Sequence, residues 1–153
     1  MYRRILIPTD GRPGTERAVE HALDLAERYD AALYVLYVVD TTALPLDARA
    51  QQIFEYVEEQ GRRSEMEIVD RAEELGIDPV VSDVHEGPPH EAILEYVEAN
   101  DVDLIVMGTH GRQGLDRYLL GSVTERVVRS ADVPVLTVRT EGTSEGEETP
   151  GSD

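Results

Sequence analysis

Five short apolar runs, separated by stretches of helical periodicity, limit the folds that this chain can adopt. The runs cover residues 4–8, 31–39, 80–85, 102–107 and 135–138. The second is apolar at nearly every position, which is typical of a strand covered on both faces. The third contains more polar residues, which favours a place near a sheet edge. Strands that alternate with helices at this spacing predict βαβ units and a parallel α/β sheet.

The helical segments are predicted at residues 13–29, 47–76, 87 to about 100, and 122–130. In the long second segment, apolar residues recur at three- and four-residue steps, which predicts one buried face. That face would comprise Ile53, Val57, Met66, Val69, Ala72 and Leu75. Gly61 lies inside the segment and predicts a kink or a break, because glycine is a poor helix former.

The charge of the chain excludes several classes of partner. Thirty-two acidic residues oppose 14 basic ones, for a net charge of −18, and every basic residue is an arginine. Nucleic acids and anionic membranes both require clustered lysine or arginine, so we expect neither as a partner. The charge instead predicts adaptation to a salt-rich cytoplasm, where ions screen self-repulsion. An acidic solubilising surface is the simpler alternative.

Length and composition predict one intracellular domain. A chain of 153 residues is long enough to bury a full core without disulfides, and this one has no cysteine. There is no apolar run near 18 residues, so a soluble, cytoplasmic protein is expected. The domain is predicted to span residues 1–140. Residues 141–153 are acidic and lack large apolar side chains, which predicts a disordered tail.

A glycine-rich stretch follows the fourth apolar run and ends where a helix is predicted to begin. Gly108, Gly111, Gly121 and Ser122 follow the pattern Gly-x2-Gly-x9-Gly-Ser. Backbone N–H groups can approach an anion closely where there is no Cβ, and a helix start adds partial positive charge. Residues 108–130 contain four arginines and two acids, a net charge of +2 within a chain of −18. The stretch therefore predicts an anion site.

Other roles for the same residues stay open. Ser122 and Glu125 fit a capping box, which needs no ligand. The glycines could serve loop conformation alone, and Asp10, after the first run, could be a turn or capping residue. Open parallel sheets bind ligands beyond the carboxyl ends of their strands, where the strand order reverses. If the first and fourth strands are neighbours, Asp10 and Gly108 face one crevice.

With this loop, with Pro8-Thr9-Asp10-Gly11 and with Tyr37-Val38-Val39-Asp40, the chain resembles the universal stress proteins, in their ATP-binding branch, from Arg3 to about Arg139. The resemblance implies a flavodoxin/Rossmann-like three-layer sandwich with a five-stranded parallel sheet in the order 3-2-1-4-5. It also implies an ATP-binding regulatory protein of the stress response, with Mg²⁺ bound through the phosphates. A homodimer through the fifth strand, residues 135–138, is implied as well. The nucleotide-binding residues that it implies are Pro8, Thr9, Asp10, Val38, Met107, Gly108, Gly111, Arg112, Gly121, Ser122, Val123 and Thr124.

Sequence signatures of an enzyme are absent. Without lysine there is no Walker-type phosphate clamp, and Gly-x-Gly-x-x-Gly does not occur. Gly-x-Ser-x-Gly occurs at residues 142–146, in the predicted tail, but no such elbow follows a predicted strand. His85 and His90 have no carboxylate at helical spacing to complete a zinc site. We therefore name no catalytic residue and no metal ligand. Two alternatives remain, namely a slow ATPase or phosphotransferase and a nucleotide-free dimeric interaction protein.

Overall fold

The computed structural model describes residues 1–10, 15–43, 50–109 and 120–139. Strands alternate with helices, as the periodicity predicts. The elements are β1 (Arg4–Thr9), α1 (Glu16–Tyr29), β2 (Ala32–Val39), α2 (Ala50–Glu74), β3 (Val80–Glu86), α3 (Pro89–Asn100), β4 (Leu104–Gly108), α4 (Ser122–Ser130) and β5 (Val135–Val138), with a short 3₁₀ turn at Thr41–Ala43. The predicted acidic tail lies outside the described residues.

All strand pairings in the sheet are parallel, and the strand order is β3-β2-β1-β4-β5. This confirms the α/β class that the periodicity predicts and the order that the resemblance implies. The more polar third strand does lie at one edge, and β5 lies at the other. Within the described ranges, no helix has both the length and the apolarity needed to cross a bilayer.

Helices cover both faces of the sheet. Successive side chains of a strand point to opposite faces, so Ile5 and Ile7 pack under α1 and α2, whereas Leu6 packs under α3 and α4. The first layer is built largely from small helical residues, among them Ala22 and Ala26, which let α1 approach the sheet closely. The result is a three-layer sandwich, as the resemblance implies.

Helix α2 differs from its prediction in two ways. It passes through Gly61 as one continuous helix, so the predicted break at Gly61 is wrong. Its buried face is also rotated from the predicted one, since Met66 is 54% exposed and Leu75, just past the end of the helix, is 43% exposed. The residues that face the sheet are Gly61, Glu65, Ile68 and Ala72. A prediction based on apolar residues does not count glycine or glutamate as buried, which explains why the predicted face of α2 was wrong.

Candidate functional site

The carboxyl ends of β1 and β4 separate at Pro8. β1 pairs with β2 as far as Thr9 but with β4 only as far as Leu6. The N–H of Asp103 donates to the carbonyl oxygen of Arg4, so alternate residues of β1, including Pro8, direct their backbone groups toward β4. Proline has no N–H, and the ladder stops there. The sheet therefore opens where its strand order reverses, the place where such sheets bind ligands.

The strand ends around this opening carry the predicted residues. Pro8 and Thr9 are buried at the end of β1, and Asp10 is half-buried just beyond them. Val38 on β2 is buried, as is Met107 on β4. Because β1 lies between β2 and β4 and the strands are parallel, the carboxyl ends of these three strands lie side by side at the same end of the sheet. Gly111 and Arg112 lie outside the described residues.

Three hydrogen bonds fix the start of α4 beside the end of β4. The N–H of Thr109 donates to the carbonyl oxygen of Val138 at 2.9 Å, and the N–H of Gly121 donates to that of Thr109 at 2.7 Å. The buried hydroxyl of Thr124 donates to the carbonyl oxygen of Gly108 at 2.9 Å. Two glycines of the predicted loop are thereby held next to each other. The Thr124 hydroxyl therefore helps to position the backbone of Gly108.

Helix α4 begins without a side-chain cap. Its N-cap is Gly121, and Ser122 is the first helical residue, so the predicted capping box with Ser122 as the cap is wrong. The N–H of Glu125 donates to the carbonyl oxygen of Gly121 at 2.9 Å. The N–H groups that precede Glu125 in the first turn have no acceptor within the helix. An uncapped helix start of this kind favours an anion.

The acidic residues near the crevice have partners of their own. Glu125 pairs with Arg129 at 2.8 Å on the exposed surface of α4. Asp40, after β2, accepts hydrogen bonds from the N–H of Thr42 at 3.0 Å and from its hydroxyl. Neither of these carboxylates caps the start of α4, which has no side-chain cap. Within the described residues, no group of three or more acidic or histidine side chains is arranged to hold a metal ion.

Thr109 is the residue of this site that sequence reasoning missed. It is half-buried and joins β5 to the start of α4 through its own N–H and carbonyl oxygen. Any residue other than proline could make these backbone hydrogen bonds, so no side-chain pattern predicts them. The one available signal was its position directly after Gly108.

The parallel sheet opens at the carboxyl ends of β1 and β4, where its strand order reverses, beside the uncapped start of α4. These features define an open-sheet α/β protein. Comparison with known proteins agrees with that class. The chain belongs to the universal stress protein family, whose sequence model matches residues 1–139.

Individual relatives match over nearly the whole chain. The universal stress protein MJ0531 of Methanocaldococcus jannaschii is 41% identical over 142 residues, which cover 91% of this chain and 83% of that protein. A universal stress protein of Methanothermobacter thermautotrophicus is 40% identical over 147 residues, covering 92% of this chain and 97% of that protein.

Solved structures extend the likeness to three dimensions. The protein MJ0577, whose biochemical function was assigned from its structure, superposes with a TM-score of 0.86 at 31% identity, over 94% of this chain and 99% of that one. A universal stress protein solved in complex with cAMP superposes with a TM-score of 0.67 at 26% identity, over 90% and 97% of the two chains.

Proposed function

We propose that this chain is an ATP-binding regulatory protein of the stress response, which holds the nucleotide in the crevice between β1 and β4. The observation that carries the proposal is the uncapped start of α4, fixed beside the end of β4 by the bond from Thr124 to Gly108. Family membership supports it, as does the relative that was solved with an adenine nucleotide. We place the protein in the cytoplasm, in keeping with its charge.

The proposed contacts follow the geometry of the crevice. The triphosphate would accept hydrogen bonds from the N–H groups of Ser122, Val123 and Thr124 and from the exposed Ser122 hydroxyl, with Mg²⁺ bridging the phosphates. The remaining members of the site would contact the base, the ribose or the outer phosphates. These are Pro8 and Thr9 on β1, Asp10 just after β1, Val38 on β2, Met107 and Gly108 on β4, Gly111 and Arg112 later in the sequence, and Gly121 at the helix cap.

Calorimetry with Mg-ATP in multimolar KCl tests the proposal. We expect binding by the wild type, and about tenfold weaker binding by Ser122→Ala, because a hydrogen bond to a charged group contributes roughly 1.5–3 kcal/mol. Ser130→Ala is the matched control, since Ser130 is an exposed serine at the other end of the same helix. Absence of binding, together with absence of nucleotide released on denaturation, would favour the interaction protein. Phosphate release lost in Ser122→Ala would favour the ATPase.

We also propose that the protein forms a homodimer through β5 (Val135–Val138). β5 lies at the edge of the sheet, and Leu136 on it is 36% exposed. An open strand edge that carries apolar side chains is suited to pairing with a second chain.

The salt-rich environment inferred from the charge has a thermal consequence. We expect the melting temperature to rise by on the order of 10 °C between about 0.01 M and multimolar KCl, because the screening length falls from about 30 Å to about 3 Å or less. A variant with Glu59, Glu67, Glu73 and Glu74 changed to glutamine provides the control, since these acids are exposed on or near α2. Its melting temperature should depend less on salt. Equal melting of the wild type at both concentrations would contradict salt adaptation.

A further inference from the structure

Glu65, in the middle of α2, is the one charged side chain that is buried within the described residues. Only 4% of its surface is exposed, and its Oε2 atom has no hydrogen-bond partner. An ionised carboxylate in such a place is costly unless it is paired and fully hydrogen-bonded. Nothing in the proposed nucleotide site uses this residue. A buried, ionised Glu65 would therefore destabilise the folded protein.

The packing of α2 holds Glu65 in this position. Gly61, one turn earlier, lies so close to Tyr37 that a Cβ at residue 61 would be 2.0 Å from the ring. The Tyr37 hydroxyl donates to the carbonyl oxygen of Val57 at 3.2 Å. One turn and two turns later, Ile68 and Ala72 are buried in the core. Because α2 is anchored on both sides of Glu65, the helix cannot simply rotate the carboxyl group into water.

The groups around Glu65 do not supply a compensating positive charge. Asp83 on β3 adds a like charge, and its Oδ2 atom already accepts a hydrogen bond from the Tyr96 hydroxyl at 2.5 Å. Among the residues that the structure describes, the one cation that acts on Glu65 is Arg62, whose guanidinium pairs with Glu58 at 3.1 Å on the exposed side of the helix. The titratable and charged groups that act on Glu65 are Arg62 on α2, Asp83 on β3, Tyr37 on β2 and Tyr96 on α3. The rings of His85 and Tyr34 lie against that of Tyr96.

We propose that Glu65 is a proton-dependent latch between α2 and the β2–β3 side of the sheet. When the carboxyl group is protonated, it is neutral and α2 stays docked. When it is ionised, its buried charge, with Oε2 lacking a hydrogen-bond partner, is repelled by Asp83 and the docking of α2 weakens. The latch is independent of the proposed nucleotide site, although Tyr37 directly precedes Val38 of the crevice.

The direction of the effect follows from the titration of Glu65. Burial, and then Asp83, raise the pKa of the Glu65 carboxyl from 4.5 to about 7, against the smaller opposing effects of Arg62 and of backbone groups of Asp83 and Tyr37. A carboxyl whose pKa is raised on folding binds its proton more tightly in the folded state. Ionisation of Glu65 therefore does not lower the free energy of unfolding below pH 4.5. It lowers this free energy increasingly as the pH rises toward 7, and by its full amount above that.

Urea unfolding at fixed KCl concentration from pH 5 to 8.5 tests the latch. We expect the wild type to lose stability across this range relative to Glu65→Gln, which cannot ionise. At pH 8 the unfolding constant of Glu65→Gln should be on the order of a hundredfold smaller than that of the wild type. Glu67→Gln, an exposed neighbour on the same helix, should retain the wild-type slope. A common slope for the wild type and Glu65→Gln would overturn the proposal.

Two measurements on the intact wild type complete the test. The carbon-13 resonance of the Glu65 carboxyl should titrate near pH 7, and a midpoint near 4.5 would overturn the latch whether or not the variant folds. Amide hydrogen exchange should accelerate in α2 as the pH rises, after correction for the intrinsic rate, and more than in α1. If exchanging KCl for tetramethylammonium chloride shifts the titration, then a bound monovalent cation neutralises Glu65 instead, and the proton latch is wrong.

Discussion

Replacing Gly61 with alanine is expected to destabilise the protein by about 2 kcal/mol or more, although alanine is the better helix former. The new Cβ would lie 2.0 Å from Cε2 of Tyr37 and 2.1 Å from its Cδ2. The ring has little room to move, because Tyr37 is only 5% exposed and its hydroxyl donates a hydrogen bond to the carbonyl oxygen of Val57. Helix propensity favours alanine by about 1 kcal/mol. Overpacking of a core costs roughly 1–3 kcal/mol, and more where a ring must leave its place, so the clash decides the sign.

Urea unfolding of the single and double variants separates the clash from helix propensity. In a Tyr37→Ala background the obstacle is gone, and Gly61→Ala should then stabilise by about 1 kcal/mol. The reversal of sign is the diagnostic result. Gln60→Ala, at an exposed position next to Gly61, should change stability by less than about 0.5 kcal/mol. If Gly61→Ala is as stable as the wild type, then the contact between α2 and Tyr37 is looser than the structure indicates.

The same contact explains where sequence reasoning on the fold reached its limit. Apolar periodicity was enough for the strands and helices, because most core positions of the sheet are apolar. It failed on the inward face of α2, where Gly61 and Glu65 are buried and Met66 is exposed. These positions depend on the neighbouring Tyr37 and on the sheet edge, which no local pattern encodes. The strand order came from the family resemblance, since periodicity alone does not decide which strands are neighbours.

Prediction of the site was limited by long-range hydrogen bonds. The glycine spacing located Gly108 and Gly121, and the strand ends located Asp10 and Val38. The hydrogen bond from Thr124 to Gly108 joins residues 16 positions apart, so no local pattern indicates that this hydroxyl already has a partner. The predicted helix over residues 122–130 is confirmed, whereas the alternative capping-box interpretation placed the cap at Ser122, one residue after the N-cap Gly121. That single-residue shift leaves the Ser122 hydroxyl exposed, where it can contact a ligand.

Replacing Gly121 with serine is expected to keep or slightly raise stability while it weakens ATP binding at least tenfold. Gly121 has φ −64° and ψ 160°, an extended conformation that any residue adopts, so the backbone does not require glycine there. Serine is also a better N-cap than glycine by a few tenths of a kcal/mol. Its side chain would, however, occupy the space where phosphate must approach. A capping hydroxyl would also accept a hydrogen bond from one of the N–H groups proposed to bind the triphosphate.

Gly76 provides a matched control, because substitution by serine there should lower stability and leave ATP binding unchanged. It follows α2 with φ +82°, and no atom lies within 4 Å of a Cβ built there. Gly76→Ser should therefore cost about 1 kcal/mol through backbone strain alone and leave ATP binding unchanged. Melting without nucleotide and calorimetry with Mg-ATP measure both variants. If Gly121→Ser binds ATP as tightly as the wild type, then the phosphates do not approach the start of α4.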